Sequence, residues 1–331
     1  MTQPSTIAHY NLLERIGEGG IGEVYRARDT RVGRTVALKI VSPAIAADPD
    51  RLQHLLADAR AATALSHPNI ATLWDVGEAD GVHYLAYEFT AGQRLREEAG
   101  GAAMNPRRAI DLSVQVADGV ADAHAHGIIH GDLRPETIVV TQKGSAKILD
   151  FGMGPWTESG AARIRAAQSP DTVPVDAIGI VSYMSPEEAI GGAVDGRTDV
   201  FSLGTLTYEL VTGQNPFAGR TASDTVLNLI KGKVTPPSER NAMVPAELDA
   251  VVVKALSPDI AQRQQSAASL AAELRSVAAI LDVRSGDSPE PTTTAALPID
   301  ETPDRNSAVL LTAALLIAAA AAGVVWWWLN H

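Results

Sequence analysis

In RIGEGGIGEVYRA, Gly17, Gly19 and Gly22 take the spacing G-x-G-x-x-G-x-V, which closes on Val24. Glycine lets a backbone turn approach a ligand closely, and the N–H groups of such a turn can then face phosphate oxygens. The same triplet marks dinucleotide-binding folds, where it leads into a helix. Here the runs GEVYRA and RTVALKIV are rich in strand formers and are joined by the turn DTRVGR. The triplet is therefore expected at a hairpin tip, as a lid over the phosphates of a nucleotide. Much further on, Asp150 of DFG ends the apolar run AKIL. A carboxylate at a strand end beside phosphates is a natural hard ligand for Mg²⁺.

The chain that must position these groups has 331 residues, enough for a large core or for two lobes with an appendage. Its net charge of -12 would repel a polyanion, so nucleic acid is not an expected partner. Cysteine is absent, which excludes disulfides, thiolate chemistry and cysteine metal sites. The N-terminus, MTQPSTIAHYNLLERIGEGG, has no basic region followed by an apolar run, so no cleaved secretory signal is expected.

Residues 307–329, SAVLLTAALLIAAAAAGVVWWWL, carry no charge and hardly a polar side chain. About 20 such residues span a bilayer core as a helix, and a buried soluble helix of that length would normally show a polar face. Trp326, Trp327 and Trp328 stand at its end, where indoles favour the membrane interface. A single-pass C-terminal anchor in the cytoplasmic membrane is expected, with the preceding domain on the cytoplasmic side. Its small residues make this helix a candidate homodimer contact. Residues 282–306 are rich in Pro, Thr, Ser and acids and read as a flexible linker.

From Tyr10 to Leu281 the sequence resembles the eukaryotic-like (Hanks-type) Ser/Thr protein kinases of bacteria. The motifs are the glycine loop, VALK, the hinge-like YLAYEFTAG, HGDLRPET, DFG, SYMSPEEA and DVFSLG. The resemblance implies an α+β, two-lobed fold: a small antiparallel sheet with one helix (10–88), then a mainly helical lobe (89–281), with ATP and Mg²⁺ between them. It implies that Lys39 holds the α- and β-phosphates, that Val24 and Ala37 cover the adenine, and that Glu88 and Thr90 offer backbone contacts to it. Asp132 would accept the proton of the acceptor hydroxyl. Arg263 would pair with Glu187 of the MSPEEA segment. Protein substrates and autophosphorylation follow as the implied partners.

Five positions depart from the family pattern. The glutamate that pairs with the strand lysine aligns with Asp58, one methylene shorter, so the pair needs the helix to move inward by roughly 1 to 1.5 Å, within the shifts such helices make. Gly131 replaces an arginine that receives a loop phosphate, which makes control through Thr157, Ser159, Ser169, Thr172 or Ser182 a weaker expectation. Arg134 replaces the lysine that neutralises the transferring phosphate, keeping the charge but changing its geometry. Thr137 stands where an asparagine binds a second Mg²⁺, so a hydroxyl ligand is expected there. Ile180 further replaces a threonine that contacts the base. Three readings stand: an active, membrane-anchored Ser/Thr protein kinase; an ATP-binding pseudokinase acting as a scaffold; and a small-molecule phosphotransferase, suggested by HGD but opposed by the MSPEEA to DVFSLG segment.

Overall fold

The computed structural model describes residues 5–19 and 21–286. The span read over 307–329, and the linker beyond Gly286, lie outside the described residues. Among the described residues no helix is long and apolar enough to cross a membrane.

The first lobe is built on alternation. Strands β1 (Thr6–Ile7), β2 (Tyr10–Gly19), β3 (Gly22–Asp29), β4 (Thr35–Val41), β5 (Leu73–Ala79) and β6 (Val82–Glu88) form an antiparallel sheet in the order β1-β2-β3-β4-β6-β5. Successive side chains of a strand point to opposite faces. In β4, Val36 and Leu38 enter one apolar cluster with Ile7, Tyr10, Ala27 and Ala86. Ala37 and Val41 join the other, under helix α2 (Pro49–Ala62), which contributes Leu55, Ala59 and Ala62. Lys39 shares that second face by the same period. Short helix α1 (Pro43–Ala46) precedes α2. Helix α2 begins where Asp48 accepts a hydrogen bond from the Arg51 amide (3.1 Å), with proline in its first turn. β1 pairs with Tyr10 and Asn11 of β2 and forms one edge of the sheet.

The glycine triplet lies at the β2–β3 hairpin tip, as its neighbours predict, with Gly17 opposite Val24 and Gly19 opposite Gly22. A Cβ at Gly22 would fall 1.9 Å from the Ile40 carbonyl oxygen, and its φ is +148°, so only glycine lets the hairpin lie against β4 there.

The second lobe starts with β7 (Gly92–Arg94), α3 (Leu95–Ala99) and α4 (Pro106–Ala125). Strands β8 (Ile138–Thr141) and β9 (Ala146–Ile148) complete a three-stranded sheet with β7. Then come α5 (Glu158–Gln168), α6 (Ile178–Val181), α7 (Pro186–Ala189), α8 (Gly196–Thr212), α9 (Ala222–Lys231), α10 (Pro237–Arg240), α11 (Ala246–Ala255) and α12 (Ala267–Ser285). In α8 every residue from Thr198 to Val211 except Glu209 is buried, the mark of a helix at the centre of a core. Its hydroxyls are satisfied locally: Ser202 donates to the Tyr183 carbonyl (2.7 Å) and Thr207 to that of Leu203 (2.8 Å). Helix α12 continues past Leu281 to Ser285, and Asp282 accepts from Arg107 Nε at 2.6 Å. The stretch read as linker from Asp282 thus begins as packed helix.

The lobes are also joined behind the cleft. Ile148 of β9 donates its amide to the Asn69 carbonyl (2.8 Å) and accepts from the Ala71 amide (2.8 Å), which ties β9 to the loop leaving α2.

Candidate active site

A cleft of about 710 Å³ lies between the glycine hairpin and the second lobe, a size suited to a nucleotide. Among the residues expected to act, Gly17, Gly22, Val24, Ala37, Lys39, Glu88, Thr90, Asp132, Arg134, Thr137 and Asp150 all line it. Gly19 is at the hairpin tip opposite Gly22. Asp58 is not part of the lining.

Lys39 makes an ion pair with Asp150 across the cleft and lies over the Tyr87 ring, 5.2 Å from its centroid. Burial alone would raise the Asp150 carboxyl, but the adjacent Lys39 ammonium outweighs it and holds the group below the usual carboxylate range. Asp150 has φ +61°, a left-handed conformation that aspartate tolerates better than most residues. The expected pair of Lys39 with Asp58 is not formed. Asp58 instead accepts from the Trp156 indole Nε1 at 2.8 Å. The shorter acid does not reach the lysine, and an indole from the segment after DFG takes it.

The loop carrying Asp132 is shaped by groups outside it. Asp199 in α8 accepts from the His130 amide (2.8 Å), the Gly131 amide (3.0 Å) and His124 Nε2 (2.8 Å). Burial would raise its pKa, yet these donors and the two histidines lower it, so the carboxylate stays ionised inside the lobe. His130 Nδ1 accepts from the Asp132 amide (3.1 Å), which leaves Nε2–H to donate to the Leu149 carbonyl (2.9 Å). One histidine therefore ties the loop to the strand end preceding Asp150.

Asp132 is 1% exposed. Its Oδ1 accepts from Arg134 Nε at 3.1 Å, and Oδ2 has no hydrogen-bond partner among the described residues. The Arg134 fork also donates to Ser159 Oγ (2.7 Å) and approaches Glu136 Oε2 (2.9 Å). Thr137 differs from expectation. Its hydroxyl accepts from the Arg134 amide (3.2 Å) and faces the Asp132 and Arg134 carbonyls at 3.1 and 2.9 Å, closing the loop on itself. The hydroxyl thus serves the loop that carries Asp132. No cluster of three or more His, Cys, Asp or Glu suited to a metal occurs among the described residues. Asp150 alone fits Mg²⁺ bound in the manner common for this ion, through one or two carboxylates with phosphates and water supplying the rest.

Residues that motif reading missed come from the segment after DFG. Besides Trp156 and Ser159, Arg163 of α5 lies with Nη1 3.6 Å from Asp132 Oδ1 and forks Glu188 through Nε (3.2 Å) and Nη2 (2.8 Å). Nothing in the sequence marks them, because they touch the site only through the fold. The expected pair of Glu187 with Arg263 is present, at 2.8 and 3.1 Å.

The protein kinase domain family matches residues 10–274. The chain belongs to that family. Among curated members, the serine/threonine-protein kinase PknB of Mycolicibacterium smegmatis is 36% identical over 280 residues, 83% of this chain and 44% of that protein. The serine/threonine-protein kinase PrkC of Bacillus subtilis is 32% identical over 268 residues, 80% of this chain and 40% of that one. This kinase-family chain thus spans less than half of such relatives. Among solved structures, the kinase domain of Mycobacterium tuberculosis PknI is similar, with a TM-score of 0.63 and 25% identity, covering 84% of this chain and 99% of that one. The kinase fold has the two lobes that the motifs imply, with the antiparallel sheet first and the helical lobe after it.

Proposed function

We propose that this chain is a Ser/Thr protein kinase that transfers the γ-phosphate of ATP to hydroxyls of protein substrates, its own chain included. The observation that carries the reading is the arrangement of Asp132. One carboxylate oxygen is held by Arg134 and the other is unpaired, in the same cleft as the Lys39–Asp150 pair and the glycine hairpin. In this reading the hairpin amides face the phosphates, Lys39 meets the α- and β-phosphates, and Ala37 and Val24 cover the adenine. The acceptor hydroxyl forms a bond to the γ-phosphorus as the bond to the ADP oxygen breaks, and its proton passes to Asp132 Oδ2. Mg²⁺, when bound, supplies neutralising charge at the phosphates, and Asp150 would hold it. Arg134 offers the cation beside the transferring group.

Transfer of labelled γ-phosphate to the chain and to a basic protein tests this. Lys39→Ala is expected to lower transfer by about 10²-fold, because a charge that meets the phosphates in a water-poor cleft is lost. Wild-type protein that binds ATP and transfers none would favour the second reading, a nucleotide-binding scaffold, which the capture of Asp58 by Trp156 and the inward Thr137 hydroxyl support.

The uncharged run 307–329 supports a single-pass membrane anchor with the kinase lobes on the ATP-rich cytoplasmic side. Truncation before Ser307 should release the protein from the membrane fraction; a truncated form that still pellets with membranes would refute the anchor.

A further inference from the structure

We infer that Arg163 of α5 positions the catalytic base of this enzyme; the inference rests on the kinase reading above. Gly131 has φ +71°, and the place of its missing Cβ has nothing within 4 Å, so no side chain at 131 steadies the loop. Ile180, which also lines the cleft, has no polar group to offer Asp132. Neither position 131 nor position 180 therefore offers Asp132 a polar side chain.

Arg163 reaches the same carboxylate from another element. It is 4% exposed and is fixed before it touches the base. Nε and Nη2 grip Glu188, at 3.2 and 2.8 Å to Oε1 and with Nη2 also 2.8 Å from Oε2. Glu188 is itself oriented, since its Oε2 accepts from the Ser185 amide (2.9 Å) and its amide donates to Ser185 Oγ (3.3 Å). A forked guanidinium between carboxylate oxygens has little freedom to turn. Its remaining nitrogen, Nη1, makes no hydrogen bond and stands 3.6 Å from Asp132 Oδ1.

Two guanidinium groups thus flank Oδ1, Arg134 by a hydrogen bond of 3.1 Å and Arg163 by charge at 3.6 Å, while Oδ2 is free. A base needs that asymmetry: one oxygen held so the group cannot rotate, the other turned to the proton it takes.

The experiment is steady-state transfer by the full chain, its Arg163→Ala and Arg163→Lys forms, and Arg163→Ala with methylguanidinium added. Thermal unfolding is measured in parallel to show that each form is folded. For Arg163→Ala, kcat should fall about 10- to 100-fold with the KM for ATP within about twofold, the pattern of a misplaced group rather than lost nucleotide binding. Arg163→Lys should keep an intermediate rate, and methylguanidinium should restore part of the loss. An Arg163→Ala enzyme as fast as wild type overturns the inference while leaving the kinase reading intact, and a faster one would make Arg163 a block on the base. Equal losses in Lys and Ala forms with lowered unfolding midpoints and no rescue would reduce Arg163 to a structural residue. Wild-type protein that binds ATP without transfer would overturn the kinase reading, and this inference with it.

Discussion

Asp132→Asn is expected to abolish phosphate transfer, by about 10²- to 10⁴-fold, while ATP still binds. Asparagine has the same shape and keeps an oxygen for Arg134 Nε and the backbone bond to His130, so the loop should hold its form. What disappears is the capacity to take a proton at the unpaired Oδ2. Labelled transfer measured beside calorimetric ATP binding separates the two effects. If the variant transfers at the wild-type rate, the acceptor proton leaves by another route and Asp132 is not the base. Loss of ATP binding in parallel would mean instead that the substitution disturbed the cleft as a whole.

The largest effect on stability is expected at Arg263. Its guanidinium is buried, forks Glu187, donates to the Arg197 carbonyl (2.8 Å) and the Ser257 carbonyl (3.2 Å from Nε), and stacks 5.0 Å from the Phe201 ring centroid. Arg263→Ala leaves a carboxylate without its cation and two carbonyls without donors, and breaking such a pair costs about 3–5 kcal/mol. A urea titration should show that loss at neutral pH. Burial would raise the Glu187 carboxyl, but Arg263 more than offsets it, so the folded value lies below the unfolded one. A depressed carboxyl contributes stability above its unfolded value, about 4, and that contribution fades as pH falls through the folded value. The gap between wild type and Arg263→Ala should therefore narrow on acidification below about pH 4. A gap that is constant or widens would mean that Arg263 acts by packing, not by charge.

Much of this site could be read from local sequence. The glycine hairpin, the strand that turns Ala37 and Lys39 to the cleft and Asp150 after β9 follow from strand period and turn chemistry, whereas the Glu187–Arg263 pair follows from the family resemblance. The failures share another cause. Asp58 was given to Lys39 because its helix was placed by motif, but its partner Trp156 lies 98 residues away and belongs to no motif. The position of Thr137 predicts a metal ligand, and its hydroxyl also bonds within its own loop, as threonine side chains often do. Arg163 and Ser159 sit on a helix whose sequence, ESGAARIRAAQ, looks like any solvated helix until its place in the fold is known. Gly131 appeared as the loss of a cation, yet a guanidinium stands beside Asp132 all the same.

The two hydrogen bonds that tie Ile148 to Asn69 and Ala71 give the molecule a fixed hinge pin. The loop leaving α2 and the strand leading to Asp150 are stitched together by these backbone bonds. A change in the angle between the lobes must therefore pivot about that seam or break it.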